Sequence, residues 1–232
     1  MDDPKVSVIL TSYNKPQFVG QAIESVLQQT MADFELFIMD DNSNQKTEDV
    51  FRAYLNDSRV HYHRSDVEDE ERPKKTRYAV LINQALSLAK GQYISYLTDD
   101  NYYHKKRLEI MSKFLDDNPD IKVAYSAQQV TDIDLTITIR KTLGVLKKAA
   151  GLVDHCSVMH RRSILDGILQ KYGSYWDEDP KCWGYGDAVF WDRMNESWPF
   201  YPIDQVLDYN IRTPLSFLVR MSLRMDPFKL DT

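Results

Sequence analysis

The sequence is poor in several of the features that assign a protein quickly. It has two cysteines in 232 residues, Cys156 and Cys182. That number excludes a disulfide-stapled scaffold and fits a reducing compartment. Their spacing suggests no metal site, so each reads as a core thiol. Glycine is scarce, at eight residues. None lies in the loop after the first expected strand, so the G-x-G-x-x-G signature of a dinucleotide-binding dehydrogenase is missing. Positive charge is in deficit: 29 Lys and Arg against 35 Asp and Glu leave a net charge of -6, which argues against a protein that binds nucleic acid by neutralising phosphates. No apolar run approaches the length of a membrane span, and the start, Met-Asp-Asp-Pro-Lys, lacks the basic region of a signal peptide. A cytoplasmic location is therefore expected. Internal repeats and low-complexity linkers are also missing. The composition, 43% hydrophobic and 28% charged, is that of an ordinary globular domain with a sizeable core, and the length suits one large domain or two abutting halves.

What is present is organised around Gln92 to Tyr102. An apolar, β-prone run from Tyr93 to Leu97 ends in two adjacent carboxylates, Asp99 and Asp100. A buried strand delivering acids to the carboxyl edge of a sheet looks like this, and open α/β sheets bind ligands at that edge. Two hard oxygen ligands there suit Mn²⁺ or Mg²⁺, which can hold a diphosphate. A polar turn capping the next helix is the plainer alternative. Upstream, Lys5–Leu10 reads as a buried strand that stops at Thr11-Ser-Tyr-Asn14. A helix from Phe18 follows, with Pro16 in its first turn. Phe34–Met39 is a second strand, ending in Asp40-Asp41-Asn42. Helix Lys46–Leu55, strand Arg59–Arg64 and a helix from Thr76, closed by Gly91 as C-cap, complete a βαβ pattern and hence a parallel sheet. Asp66–Lys75 is a charge run with one apolar residue and is expected to be a mobile loop.

The second half is less regular, which suggests mixed strands. A helix is expected over 104–117, strands over 123–130, 135–139 and 153–160, and a helix over 162–172. A flexible loop is expected near 144–151. Aromatic residues crowd the stretch 172–201. Most should fill core, with Trp176, Trp183 and Tyr185 as candidates for a pocket wall. The two histidines His155 and His160 are individually weak signals. Leu215–Met225, apolar with arginines, suits a helix docked on the core or on a second subunit, or one lying on a membrane surface.

The stretches Val6–Asn14, Phe34–Ser43 and Thr98–Asn101, together with Asp154–Arg161 and Gly173–Asp177, resemble a family 2 glycosyltransferase of the GT-A fold over roughly residues 5 to 208. The resemblance implies an α/β fold with a Rossmann-like, mainly parallel mixed sheet flanked by helices. It would be a single domain whose residues 1–101 bind nucleotide and whose residues 102–232 bind acceptor. It implies transfer of a sugar from a UDP- or dTDP-sugar to an acceptor hydroxyl with inversion, in polysaccharide biosynthesis of the spore-coat kind. Tyr13 can stack on a base and Thr11 can bond its edge. A carboxylate at 40–41 can accept the N3–H that uracil and thymine carry and cytosine lacks. The resemblance selects Asp41 for this and leaves Asp40 a structural role. It also implies Asp99 on the ribose and Asp100 on the metal. One of Arg72 and Arg77 should reach the diphosphate. Asp187, in Trp183-Gly-Tyr-Gly-Asp187, matches the family's presumed general base, with Asp154 as rival and helix capping as the plainer role for Asp187. A sugar-phosphate nucleotidyltransferase would also present paired acids but resembles its class through a Gly-rich first loop, which Thr11–Asn14 is not. A nucleotide-sugar binder without turnover is the third possibility. Donor sugar, acceptor and oligomeric state are left open.

Overall fold

The computed structural model describes residues 3–212; the tail segment Leu215–Met225 lies outside them. Its centre is three parallel strands that bury both faces. β1 (Val6–Ser12) and β2 (Phe34–Asp40) are buried at every position, and β4 (Tyr93–Thr98) at all but its last. Their β-branched and aromatic runs lack polar alternation because helices cover the sheet on both sides. α1 (Val19–Leu27) and α4 (Arg107–Asp117) press on the face of Val8, Leu10 and Leu97, together with Phe51 of α2 (Gln45–Arg52). α3 (Arg77–Leu88), α5 (Leu165–Tyr172) and α6 (Gly186–Asn195) press on the face of Ile9, Phe37 and Tyr96.

Strand order is β3-β2-β1-β4-β8-β6-β9-β5, with β7 (Ile137–Arg140) beside β6. β3 (Val60–Arg64) through β4 is wholly parallel. β8 (Val158–Arg161) runs antiparallel to both β4 and β6 (Val123–Thr131), and β6 runs parallel to β9 (Phe200–Ile211). The sheet is therefore mixed in its second half. Register matters most for function. Val6 pairs with both Phe34 and Tyr93, so Ser12 pairs with Asp40 and Thr11 with Thr98. The three strands end level, and the residues that follow them meet at one edge.

Several expectations are corrected. β1 runs two residues further than expected, so Thr11 and Ser12 are strand residues rather than loop. Pro16 precedes α1 instead of opening it. α3 ends at Leu88, and Gly91 is not its C-cap; a Cβ there would lie 2.3 Å from the Ser7 backbone nitrogen, so the requirement is close approach of the segment before β4 to β1. The expected strand over 153–160 is a short 3₁₀ turn, His155–Ser157, leading into β8. Two elements had no expectation: β5 (Asn101–Tyr103) and the long β9. β9 pairs with β6 through two register shifts, which break the period-two pattern that would reveal it.

The second half contains a fully buried ion pair. Arg107 Nη1 lies 3.3 Å from Asp208 Oδ1, with both side chains inaccessible. Asp208 also accepts from Ser126, Gln128 and Ser157, and the Arg107 guanidinium stacks 4.4 Å from the Tyr103 ring.

Candidate active site

Level strand ends bring Tyr13, Asp41 and the pair Asp99 and Asp100 to the carboxyl edge of β1, β2 and β4. Asp40, the last residue of β2, faces inward. Its carboxylate accepts from the Tyr62 hydroxyl at 2.9 Å and the Ser43 N–H at 3.0 Å, and it is fully buried. Asp41 turns the other way, and its carboxylate is gripped by two arginines. Arg72 Nη1 donates to Oδ2 at 2.5 Å, Arg77 Nη2 to Oδ1 at 2.7 Å, and Ser65 Oγ to Oδ1 at 3.1 Å.

Arg72 corrects the expectation of a mobile loop. It opens a 3₁₀ turn, Arg72–Lys74, is only 8% exposed, and also donates to the Asp41 carbonyl. Its guanidinium lies 3.9 Å from the centre of the Tyr13 ring. The charge run is thus anchored at Arg72, where a guanidinium satisfies a buried carboxylate and stacks on an aromatic face. Both candidate arginines converge on Asp41. The Tyr13 hydroxyl is pushed to higher pKa by burial, partly offset by Arg72. Thr11, one residue before the strand end, is buried.

Asp99 and Asp100 share a cation. Lys15 Nζ lies 2.9 Å from Asp99 Oδ1 and 2.6 Å from Asp100 Oδ2. Asp99 further accepts from Ser12 Oγ and the Tyr13 N–H, and Asp100 from Thr98 Oγ1. Burial works against the Lys15 charge, but Asp100 and then Asp99 outweigh it and hold the ammonium above its ordinary pKa. Burial raises Asp99, with Lys15 opposing. This pair is built to hold positive charge, so its donor set fits a hard divalent cation. Lys15 was not singled out in the sequence. The available signal was two adjacent acids on a buried edge, which need a counter-charge, and a lone lysine beside Tyr13-Asn14, where Asn14 takes a φ of 53°.

Across the sheet lie Asp154, His155 and Asp187. Asp154 caps the 3₁₀ turn, accepting from the Cys156 N–H at 2.9 Å. Asp187 sits in the first turn of α6, one residue inside the helix, where it accepts from the Ala188 N–H at 2.8 Å; the N-cap position belongs to Tyr185. Burial lifts the Asp187 carboxyl above the ordinary carboxylate range, with His155 opposing and Asp154 adding to the rise. For His155, burial is outweighed by Cys156, Asp154 and Asp187 in turn, and its pKa is pushed up to about 10. His160 is a core residue, bonded to the Tyr96 hydroxyl at 2.7 Å, and burial pulls it down to about 4. Asp154, His155 and Cys156 bring ligand atoms within 4.8 Å of one another. Cys156 is buried and its sulfur accepts from the Asn101 amide at 3.1 Å, consistent with a core thiol.

The approach to Asp187 is set by Tyr78, another residue the sequence did not single out. Its hydroxyl accepts from the Gly186 N–H at 3.1 Å and reaches the carbonyls of Cys182 and Trp183 at 3.1 and 3.0 Å. A Cβ on Gly186 would come within 2.5 Å of that oxygen, so glycine is required by proximity. Of the three aromatic candidates, Trp176 is fully buried among Tyr96, Phe190 and Trp191 and is core. Trp183 is half-buried, its indole donating to the Lys75 carbonyl, and Tyr185 is half-exposed.

A half-parallel sheet with acids at one edge and a mixed half carrying a second acid cluster defines a glycosyltransferase-type α/β protein. The family model described as Glycosyl transferase family 2 matches residues 7–193, and the chain belongs to that family. It is 51% identical over 218 residues to Protein CgeD of Bacillus subtilis, covering 92% of this chain and 51% of that protein. It is 35% identical over 113 residues to the putative teichuronic acid biosynthesis glycosyltransferase TuaG of the same organism, covering 48% of this chain and 42% of TuaG. The chain thus spans about half the length of these relatives or less. Among solved structures, S. aureus TarS 1-349 in complex with UDP superposes with a TM-score of 0.68 at 16% identity, covering 91% of this chain and 61% of that one. The mannosyltransferase PcManGT from Pyrobaculum calidifontis, in complex with GDP-Man and Mn²⁺, gives 0.59 at 14% identity, covering 91% and 57%. At these identities the likeness is one of fold, the GT-A fold. Among the described residues, no helix is long and apolar enough to cross a membrane.

Proposed function

We propose that the chain transfers a sugar from a UDP- or dTDP-sugar to an acceptor hydroxyl with inversion, in the synthesis of a polysaccharide of the spore-coat kind. The observation that carries the reading is the convergence of Tyr13, Asp41 and the Asp99–Asp100 pair on one edge, opposite a half-buried carboxylate of raised pKa at Asp187. The base stacks on Tyr13, beside Thr11, and its N3–H meets Asp41; cytosine has no N3–H to offer that carboxylate. One of Arg72 and Arg77 then turns from Asp41 toward the diphosphate. Asp99 takes the ribose. Asp100 would hold Mn²⁺ or Mg²⁺ in place of the Lys15 ammonium. When bound, the cation neutralises charge developing on the leaving group. TarS has been solved with UDP and with UDP-GlcNAc, and PcManGT with Mn²⁺, which supports a nucleotide-sugar donor and a divalent cation in this fold.

In the reaction the acceptor oxygen forms a bond to the anomeric carbon as the bond from that carbon to the diphosphate oxygen breaks. The nucleoside diphosphate leaves with the electron pair, and the acceptor proton passes to the Asp187 carboxylate. A single displacement inverts the centre. Burial serves this step, because a carboxyl with raised pKa is a stronger base than an exposed one. Asp154 and His155 flank it. The experiment is release of nucleoside diphosphate from a donor panel by the wild type and Asp187→Asn. Loss of turnover with nucleotide binding retained is expected. Turnover that survives the substitution removes Asp187 as base and leaves Asp154 as the candidate.

A further inference from the structure

Among the described residues, seven of the eleven large hydrophobic side chains that are exposed fall in one stretch, 133–152. This stretch is the β6–β7 turn, the edge strand β7 and the segment after it. All four residues of β7 are exposed, so neither of its faces is covered. Leu135 at the turn is 78% exposed, Leu143 61% and Ile137 59%. Leu135 also takes a φ of 66°, a left-handed conformation that suits glycine or asparagine and strains a branched side chain. Folding alone would favour another residue there.

The same stretch reverses the charge of the molecule. Residues 133–152 contain Arg140, Lys141, Lys147 and Lys148 against one acid, Asp134, in a chain of net charge -6. All four cations are exposed, and none forms an ion pair with another described residue. Asp134 is used locally, accepting from the Thr136 N–H. Arg140, Lys141 and Leu152 line the same cavity as Asp154, so the surface borders the acid cluster of the candidate site.

We propose that this surface docks the protein on an anionic lipid bilayer, with Leu135, Ile137 and Leu143 entering the headgroup boundary and the four cations on the lipid phosphates. Exposed apolar side chains interleaved with basic ones make up an interfacial anchor. A soluble polyanion would engage the cations and leave the leucines in water. A second copy would set basic patch against basic patch in a two-fold contact. The docking stands apart from the sugar-transfer reading, and its test does not depend on turnover.

The test is flotation of the full chain with vesicles of phosphatidylcholine alone or mixed with phosphatidylglycerol, in low and high salt. The wild type should float with the anionic vesicles and lose that binding in high salt. Leu135→Asn places a residue suited to the backbone, so its Tm should equal or exceed that of the wild type while partition falls roughly ten-fold. Lys147→Gln with Lys148→Gln should reduce partition by roughly five-fold per charge. A wild type that stays in solution with anionic vesicles overturns the proposal. So does unchanged flotation of both variants, or a lipid-free dimer, seen by light scattering, that Leu135→Asn dissolves.

Discussion

Replacing Lys15 by methionine tests the electrostatics of the acid edge directly. The ammonium lies 2.6 to 2.9 Å from two carboxylates whose side chains are only 5% and 11% exposed. Methionine keeps the bulk of the stem and removes the charge, leaving Asp99 and Asp100 side by side. Removing one partner of a buried ion pair costs about 3–5 kcal/mol. Asp99 keeps its bonds from Ser12 and the Tyr13 N–H, which places the cost near the lower end, about 3 kcal/mol. For a chain of this size each kcal/mol shifts Tm by about 2–4 °C, so a fall of roughly 6–12 °C is expected. The same substitution frees the carboxylates for a divalent ion. A cation at about 100 times its Kd returns about 2.7 kcal/mol. Millimolar Mn²⁺ should therefore restore most of the lost Tm in Lys15→Met and shift the wild type less, because in the wild type it must displace the ammonium. Differential scanning calorimetry with and without Mn²⁺ reads both effects. If the variant melts with the wild type and Mn²⁺ shifts the two equally, Lys15 does not occupy the cation position.

Other perturbations give separate readings. Asp187 has its pKa raised by burial, so its stabilising contribution is complete below the unfolded value and lost as pH rises through the folded one. Asp187→Asn should accordingly match the wild-type Tm in acid and exceed it near neutrality, and the acid limb of the transfer rate should lie above the ordinary carboxylate range. Arg107→Met strands the buried Asp208 carboxylate and should cost about 3–5 kcal/mol in denaturant unfolding, much of it recovered by adding Asp208→Asn. Gly186→Ala drives a methyl onto the Tyr78 hydroxyl and should cost about 1–3 kcal/mol by overpacking. Tyr78→Phe removes the clashing oxygen, so the double variant should lose less than the two single losses added together.

The first half of the molecule was legible because its information is local. Val6–Leu10, Phe34–Met39 and Tyr93–Leu97 are continuous apolar runs, each ending in polar residues, and level parallel register turns three local endings into one site. What could not be read depends on partners far apart in the chain. Arg72 lies in a run whose composition resembles a solvated face, yet its partner Asp41 is 31 residues away and makes it a buried anchor. Lys15 is placed by acids 84 and 85 positions later. Trp176 shares its aromatic neighbourhood with Trp183 and Tyr185, and only packing separates core from surface. Tyr78 carries no motif, and its importance comes from an oxygen lying against Gly186. β9 was hidden because register shifts and buried polar residues such as Asp208 interrupt its pattern.

The central claim is that the edge formed by Tyr13, Asp41, Asp99 and Asp100 is a pyrimidine nucleotide site that works with a divalent cation. Titration calorimetry of UDP and dTDP, each with Mn²⁺ and with chelator, and of CDP as control, tests it most directly. The account predicts micromolar-class binding of a uracil or thymine nucleotide, lost with chelator and weak for CDP. Absence of binding for every nucleotide, or equal binding of CDP and UDP unaffected by chelator, would contradict it.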